Sequence, residues 1–449
     1  MTDTPIDAAI IGAGVAGSAV TLALAARAPA GFRTLIFDRA EPGPGTAYAP
    51  QSASLLLNGP VRAMSMMPDD ERHFERWLVD EPSDALICRA RYGAYARATV
   101  ASALASRADF RHVRDEVVDL QRRDDNGYAL TTHRGERFVA RKVVLALGNF
   151  APASHFLPET LQKFPGYFGD PWRVDVAPFE NRDVVVIGSR LTAMDVVALL
   201  DERAFRGRVH LVSRHALIPR VEDPRVRGAD PAKLGLDTST PYALLRSMRR
   251  AAETFPGDWR SLVDSVRPMT PAIWASWSDR ERKRFLRHAQ AMWAVHRYRV
   301  PAATFAAFAR LQHEGRVLNH RGRIRRVTVR DSELDVDVSS AAVSQTIRAA
   351  YVVNCTGPSC DIRRVDRPLV RNALSNGLLR ADSLHLGIDA NEEYRILDAS
   401  GRAQSNLFGI GPLLRGLWYE TTAIPEIVKH ASSIAAELLR EESNMAVAG

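Results

Sequence analysis

Short apolar runs ending in glycine or small polar residues recur along this chain, most of them followed by a stretch of helical character. The first, Ile6 to Ile11, leads through Gly12-Ala13-Gly14-Val15-Ala16-Gly17 into an Ala/Leu-rich helix expected to reach about Arg27. Phe32 to Phe37, Arg141 to Leu147, Val184 to Ile187, His210 to Arg214, Tyr351 to Cys355 and Leu407 to Gly411 have the same character. Such runs do not alternate polar and apolar positions, which is the pattern of strands buried on both faces of a parallel sheet. Between 216 and 320 the pattern changes to an Arg- and Trp-rich stretch with interspersed prolines that reads as helical. There Ser278-Asp279-Arg280-Glu281 fits a capping box, and Phe285, Ala289, Met292, Trp293 and His296 recur at helical spacing, as a packing stripe would.

The first run carries chemistry. Gly12 permits a tight turn, Gly14 lets backbone approach a pyrophosphate, and Gly17 lets helix and strand pack closely. Val15 and Ala16 then open a helix whose N-terminus offers free N–H groups and a positive dipole end. Asp38 follows the next strand, 21 residues after Gly17, where a carboxylate accepts hydrogen bonds from an adenosine ribose, with Arg39 beside it. A lone G-x-G-x-x-G can be a purely structural turn; strand, glycines, helix, strand and acid in order predict a bound dinucleotide. The strand ends at Gly148-Asn149 and Thr356-Gly357-Pro358 suit a chain that leaves a nucleotide domain and returns to it, which favours FAD. Near the C-terminus, Gly411 precedes a loop and a helix from about Ile424, with Thr421 and Thr422 as plausible caps. That helix N-terminus either stabilises negative charge on a reduced flavin or simply closes the sheet.

A second, altered motif follows Ile187: Gly188-Ser189-Arg190-Leu191-Thr192-Ala193. Ala193 is tolerated at the third glycine position, whereas Arg190 puts a side chain where backbone should approach pyrophosphate. Ser213 and Arg214 end the next strand in place of an acid, which suits the 2′-phosphate of NADPH over NADH, together with Gly188, Arg190 and Thr192. Either Arg190 swings aside and pairs with the pyrophosphate, or this half no longer binds nucleotide. The expected fold is therefore α/β, with two Rossmann-like dinucleotide-binding domains. Residues 1–170 and 330–449 would form the FAD domain; 171–329 would form a smaller NAD(P)-type domain carrying the helical insert 216–320.

Composition narrows the function classes. Sixty basic against 52 acidic residues give the 449-residue chain a net charge of +8, yet only five of the basic residues are lysines and the arginines are spread throughout. That is a bias more than a nucleic-acid stripe, although the cluster from Arg321 to Arg326 could attract an anionic ligand. Three cysteines without a C-x-x-C disfavour a dithiol relay. No metal-ligand spacing, no G-x-S-x-G and no H-E-x-x-H occurs, since Val317 stands where the second histidine would be needed. Ala8 to Ala26 is nearly uncharged, but its glycine spacing marks a buried helix and not a membrane span. No signal peptide is evident, and the chain reads as cytoplasmic. The sequence does not reveal an oligomeric state.

Several runs resemble a bacterial family of FAD/NAD(P)-binding proteins related to flavin-dependent N-hydroxylases. They include Gly45-Thr46-Ala47-Tyr48, Leu56 to Val61 with Met64 to Met67, Tyr92-Gly93-Ala94-Tyr95, Asp170-Pro171-Trp172, His296 to Arg299, and the long run Gly411 to Glu426. The resemblance implies FAD at Gly12, Gly14, Gly17 and Asp38, its ring system near Asn58 to Met67, including Met66, and near Gly411 to Thr422, with Gly148 at the neighbouring strand end. It also implies a glycine at position 190, where this chain has arginine. The expected activity is an NADPH-dependent flavin monooxygenase transferring oxygen to a small nucleophilic, amine-like substrate. The alternatives are an FAD oxidase or dehydrogenase reduced by its own substrate, and a flavin-bearing protein without turnover. Trp418 and Tyr419 are candidates to line the substrate space, and Arg299 and Arg415 to hold a substrate carboxylate.

Overall fold

The computed structural model describes residues 6–49, 52–174, 181–340 and 344–440; residues 1–5 and 441–449 of the expected first domain lie outside these. Strands β1 (Ile6–Ile11), β2 (Thr34–Phe37), β3 (Phe110–Val113), β4 (Val117–Arg122), β5 (Tyr128–Thr132) and β6 (Arg137–Leu145) come first. Next are β7 (Tyr167–Phe168), β8 (Val184–Ile187), β9 (Val209–Ser213) and β10 (Val317–Arg321), then β11 (Arg323–Arg330), β12 (Glu333–Ser339), β13 (Ser344–Ala349) and β14 (Tyr351–Asn354). Strands β15 (Arg395–Leu397) and β16 (Ala403–Gly409) close the series. The first sheet runs β15-β16-β6-β1-β2-β3, parallel from β16 to β3, with the β4–β5 hairpin attached to β6. The second runs β10-β9-β8-β14-β7, all parallel. Strands β11 to β13 form an antiparallel sheet of their own that packs on the second.

Helix α1 (Val15–Arg27) is buried without interruption from Val15 to Leu24, because β1 and its neighbours cover one side and the C-terminal helix the other. Burial all round explains its lack of an amphipathic stripe. No helix among the described residues is long and apolar enough to cross a membrane. The other helices used below are α2 (Arg89–Ala105), α3 (Leu191–Glu202) and α4 (Ile424–Leu439).

The sheets move both expected domain junctions. Tyr167–Phe168 and Tyr351–Asn354 pair within the second sheet, so the chain enters it before 171 and leaves it only after Asn354, not at 330. A short apolar strand fits either sheet equally well, and hydrogen-bond pairing decides. The end of the helical insert is corrected too: Val317–Arg321 is a strand beside β9. The insert helices before it bury Leu244, Ile273, Trp274, Trp277 and Phe285 around Tyr419, which belongs to the C-terminal segment. Ion pairs tie the parts together: Arg89 on α2 to Asp195 on α3 at 3.1 Å, Arg267 to Glu426 at 2.8 Å, and Arg297 to Glu420 at 2.8 Å.

Candidate functional site

Both glycine motifs sit on one hydrogen-bond frame. The Gly12 N–H donates to Phe37 O, and the Gly188 N–H to Val212 O, each at 2.8 Å. Gly12 has φ +101° and Gly188 φ +124°, backbone that disfavours a side chain. A Cβ on Gly12 would lie 2.3 Å from Ala146 O, and one on Gly188 2.4 Å from Cys355 O, so no side chain fits at either. Gly14 and Arg190 are then the N-caps of α1 and α3, both extended and neither providing a side-chain cap. The first-turn N–H groups of both helices are therefore open to an anion.

The frame also aligns Asp38 and Ser213, each directly following the paired positions Phe37 and Val212. Asp38 Oδ2 accepts from the Ala13 N–H at 2.8 Å and Oδ1 from the Ala40 N–H at 2.9 Å, which aims the carboxylate at the first turn of the motif. In the second frame the Ser213 hydroxyl meets that of Ser189 at 2.8 Å. Arg39 is paired with Glu116, but Arg214 has no carboxylate partner among the described residues. Burial, then Arg214, Arg321, Arg190 and Arg323 in turn, hold His215 below its ordinary pKa. The loops after β8, β9 and β10 thus bring their cations to one end of the second sheet, the end where parallel α/β sheets bind ligands. Thr192 lies in the first turn of α3.

Gly148 follows β6 in left-handed backbone with open space where a Cβ would be. Gly411 packs on α1, since its Cβ would meet that of Ala16 at 3.3 Å. The segment after Gly411 therefore runs past the first motif. Within it, Trp418 Nε1 and Thr421 Oγ1 are buried and find no hydrogen-bond partner among the described residues. Two unsatisfied polar groups within four residues are what a site shaped around a polar ring system leaves behind. Together with the Gly12 cradle, they fit a flavin dinucleotide lying between α1 and residues 411–421.

Other expected site residues fall differently. Met66 is fully buried in the core, so its side chain faces no cofactor; Asn58 is exposed. Val15 and Ala16 are buried and offer only backbone. Thr421 and Thr422 do not cap α4: the N-cap is Ala423, because the chain stays extended two residues longer than the threonines suggest. Arg299 is no substrate ligand. It is 4% exposed and bonded to Glu222 at 2.8 Å and Asp264 at 2.7 Å, so its charge is spent inside the insert. His296 turns its Nδ1 to the Met292 carbonyl of its own helix. Trp418 packs against Tyr394 and His430, and Tyr419 stacks on Trp274 with ring centroids 4.6 Å apart. The sequence reading missed Trp274, whose Nε1–H donates to Gly416 O across 142 residues. It also missed Cys360, whose thiol accepts from Arg415 Nη1 at 3.6 Å. Cys360 follows the Thr356-Gly357-Pro358 strand end closely enough to have been found there.

These two sheets, each carrying a strand–glycine turn–helix motif, define a two-dinucleotide-domain fold of the flavoprotein type. Residues 9–150 match the model of the FAD-NAD(P)-binding family, the stretch holding β1, α1, Asp38 and Gly148. No curated protein matches the sequence. Among solved structures, the fold is similar to the FAD-bound cadaverine monooxygenase of the desferrioxamine pathway from Erwinia amylovora (TM-score 0.67, 14% identity, 97% of this chain and 95% of that one). It is similar as well to an L-lysine 6-monooxygenase from Pseudomonas syringae (0.65, 17%, 96% and 98%). A bacillithiol disulfide reductase from Staphylococcus aureus shares the fold too (0.61, 16%, 97% and 98%).

Proposed function

We propose that this protein is an FAD-dependent, NADPH-consuming monooxygenase acting on a small nucleophilic amine. The observation that carries this reading is the pair of matching frames with opposite charge, Asp38 on the first and Ser213 with Arg214 on the second. Asp38 suits an adenosine ribose; the cation cluster suits a 2′-phosphate. Support for oxygen transfer to nitrogen comes from the fold's likeness to the cadaverine and lysine monooxygenases over nearly the full length of both chains. The three cysteines are unpaired, which gives a disulfide relay no support.

Bound FAD would supply the redox and oxygen-activating chemistry, and the chain's residues would supply position and enclosure. Gly12, Gly14 and the first turn of α1 would hold its pyrophosphate, and Asp38 its ribose. The first turn of α3 would meet the pyrophosphate of NADPH, while Ser213, Arg214, Arg321 and Arg323 take its 2′-phosphate. Tyr419 packs with Trp274 and the insert helices, which would shield the space beside a bound flavin from water. Anaerobic mixing of FAD-loaded protein with NADPH, and separately with NADH, tests the reading. Rapid flavin bleaching by NADPH is expected. Flavin that stays oxidised with both nucleotides but bleaches with an amine alone would make the protein a substrate-reduced oxidase and overturn it.

A further inference from the structure

The helical insert carries a cationic face that flavin and nucleotide binding leave unused. One rod of chain runs through the helix Asp279–Arg284, a wider π-type turn at Phe285–Ala289 and the helix Gln290–Arg297. Its inner side buries Phe285 and half-buries Leu286, Ala289 and Trp293 in the cluster that holds Trp274 and Leu244. Its outer side exposes Arg280, Lys283, Arg284, Arg287 and His288, at the i, i+3, i+4, i+7 and i+8 spacing of a single helical face. These five side chains, with no acidic one among them, line an open groove of about 350 Å³. Among the described residues, Arg284 alone of the five meets a carboxylate, Glu281 at 2.9 Å. Asp279 is taken by Arg282, which turns inward to donate to the Trp274 carbonyl. Met292, one turn beyond His288, continues the face and is 50% exposed. The helix Pro241–Thr254 packs beside this rod and meets the same core through Leu244 and Met248. Its exposed positions include Tyr242, Leu245, Arg246, Arg249 and Arg250, again one face by spacing, with Glu253 as its acid. None of these three arginines has a carboxylate partner among the described residues.

Like charges three and four residues apart destabilise a helix, and no acid within the chain offsets them on these faces. A partner dense in negative charge would do so by simple complementarity. The apolar side chains exposed among the cations narrow its class. A nucleic-acid backbone would leave Leu245 and Met292 in water, and binding by base stacking calls for aromatic rings in the groove, where there are none. The headgroup layer of a bilayer offers phosphate to the cations and the acyl boundary to a tyrosine, a leucine and a methionine. We propose that the outer faces of residues 241–254 and 279–292 dock this protein on an anionic phospholipid surface. Such docking needs no membrane-spanning helix, and it stands independently of the oxygenase reading.

The test is co-sedimentation of the full-length protein with vesicles of phosphatidylcholine alone and of phosphatidylcholine mixed with phosphatidylserine. Partitioning to the mixed vesicles is expected to exceed that to the neutral ones by about tenfold or more, and to weaken as added salt shortens the Debye length. Each cation at the surface is worth about fivefold in partitioning, so Lys283→Gln combined with Arg287→Gln should lose about twentyfold. Tyr242→Ser combined with Met292→Ser keeps every charge and should still weaken vesicle binding several-fold, while leaving binding to heparin unchanged. All four side chains are exposed, and thermal melting with FAD content identifies any variant that fails to fold. Wild type that stays in solution with the mixed vesicles overturns the proposal whatever the variants do. Unchanged binding in the Lys283/Arg287 variant overturns it too, by placing the contact elsewhere on this basic chain. So does full binding by a folded Tyr242/Met292 variant, which makes the face a general polyanion site, nucleic acid included. Tighter binding to poly-L-glutamate than to the mixed vesicles would replace the lipid surface with an acidic protein.

Discussion

Protonating His430 should loosen the packing beneath the candidate flavin segment, and the size of the effect follows from its surroundings. His430 lies on α4, 6% exposed, with its ring 5.1 Å from that of Tyr394 and 5.8 Å from that of Trp418. Its Nδ1 has no hydrogen-bond partner among the described residues. Burial pushes its pKa down from 6.5 to about 4; Glu426 opposes the shift and Lys429 adds to it. The unfolded chain therefore binds this proton more tightly than the folded one. The neutral ring's contribution is fully present above 6.5 and is lost as the pH falls from there towards about 4. At about 1.36 kcal/mol per pKa unit, the whole gap is worth about 3 kcal/mol, of which about 2 kcal/mol is gone by about pH 5. His430→Phe keeps a flat ring against Tyr394 and Trp418 but removes the titration. Urea denaturation of both proteins at about pH 7.5 and about pH 5 isolates the term, since other acid-sensitive groups are common to both. The variant should lose about 2 kcal/mol less than wild type over that interval. Equal losses would refute burial of a neutral histidine at this position.

Two further predictions separate nucleotide recognition from internal support. Ser213→Asp places on the second frame the carboxylate that Asp38 provides on the first, and should move the ratio of NADPH to NADH in anaerobic flavin reduction towards NADH by about tenfold or more. An unchanged ratio would put the 2′-phosphate elsewhere. Arg299→Met strands the carboxylates of Glu222 and Asp264 inside the insert and should cost about 3–5 kcal/mol of stability by equilibrium unfolding. A raised substrate KM at undiminished stability would restore Arg299 as a substrate ligand.

The first site was legible because its demands are local. The backbone at Gly12, the close packing at Gly17 and an acid at the end of β2 all lie within one strand–helix–strand unit. The second strand–turn–helix frame was legible for the same reason. What sequence could not supply depends on partners distant in the chain. Arg299 reads as a spare cation until Glu222 and Asp264, 77 and 35 residues away, are seen to neutralise it. The run Tyr351–Asn354 is equally apolar for either sheet, and only its register with β8 assigns it to the second. Met66 sits in a stretch that resembles a cofactor border, but its side chain turns into the core.

Arg190 shows why a damaged motif need not mean a damaged fold. The frame's requirement is at its first glycine: at Gly12 and Gly188 the backbone is left-handed and a strand carbonyl stands where a Cβ would go. The second position is different. Arg190 is an N-cap with φ −98° and ψ −164°, an extended conformation open to any residue, and its substitution leaves the Met194-to-Arg190 hydrogen bond at 3.0 Å. Glycine at that position serves the ligand and not the chain. Replacing it therefore carries little folding cost and changes what lies above the helix end. An arginine there adds a positive charge at the N-terminus of α3, beside the cations that follow β9 and β10. Nucleotide binding at the second site then depends on the open first turn of α3 and on the cations that follow β9 and β10.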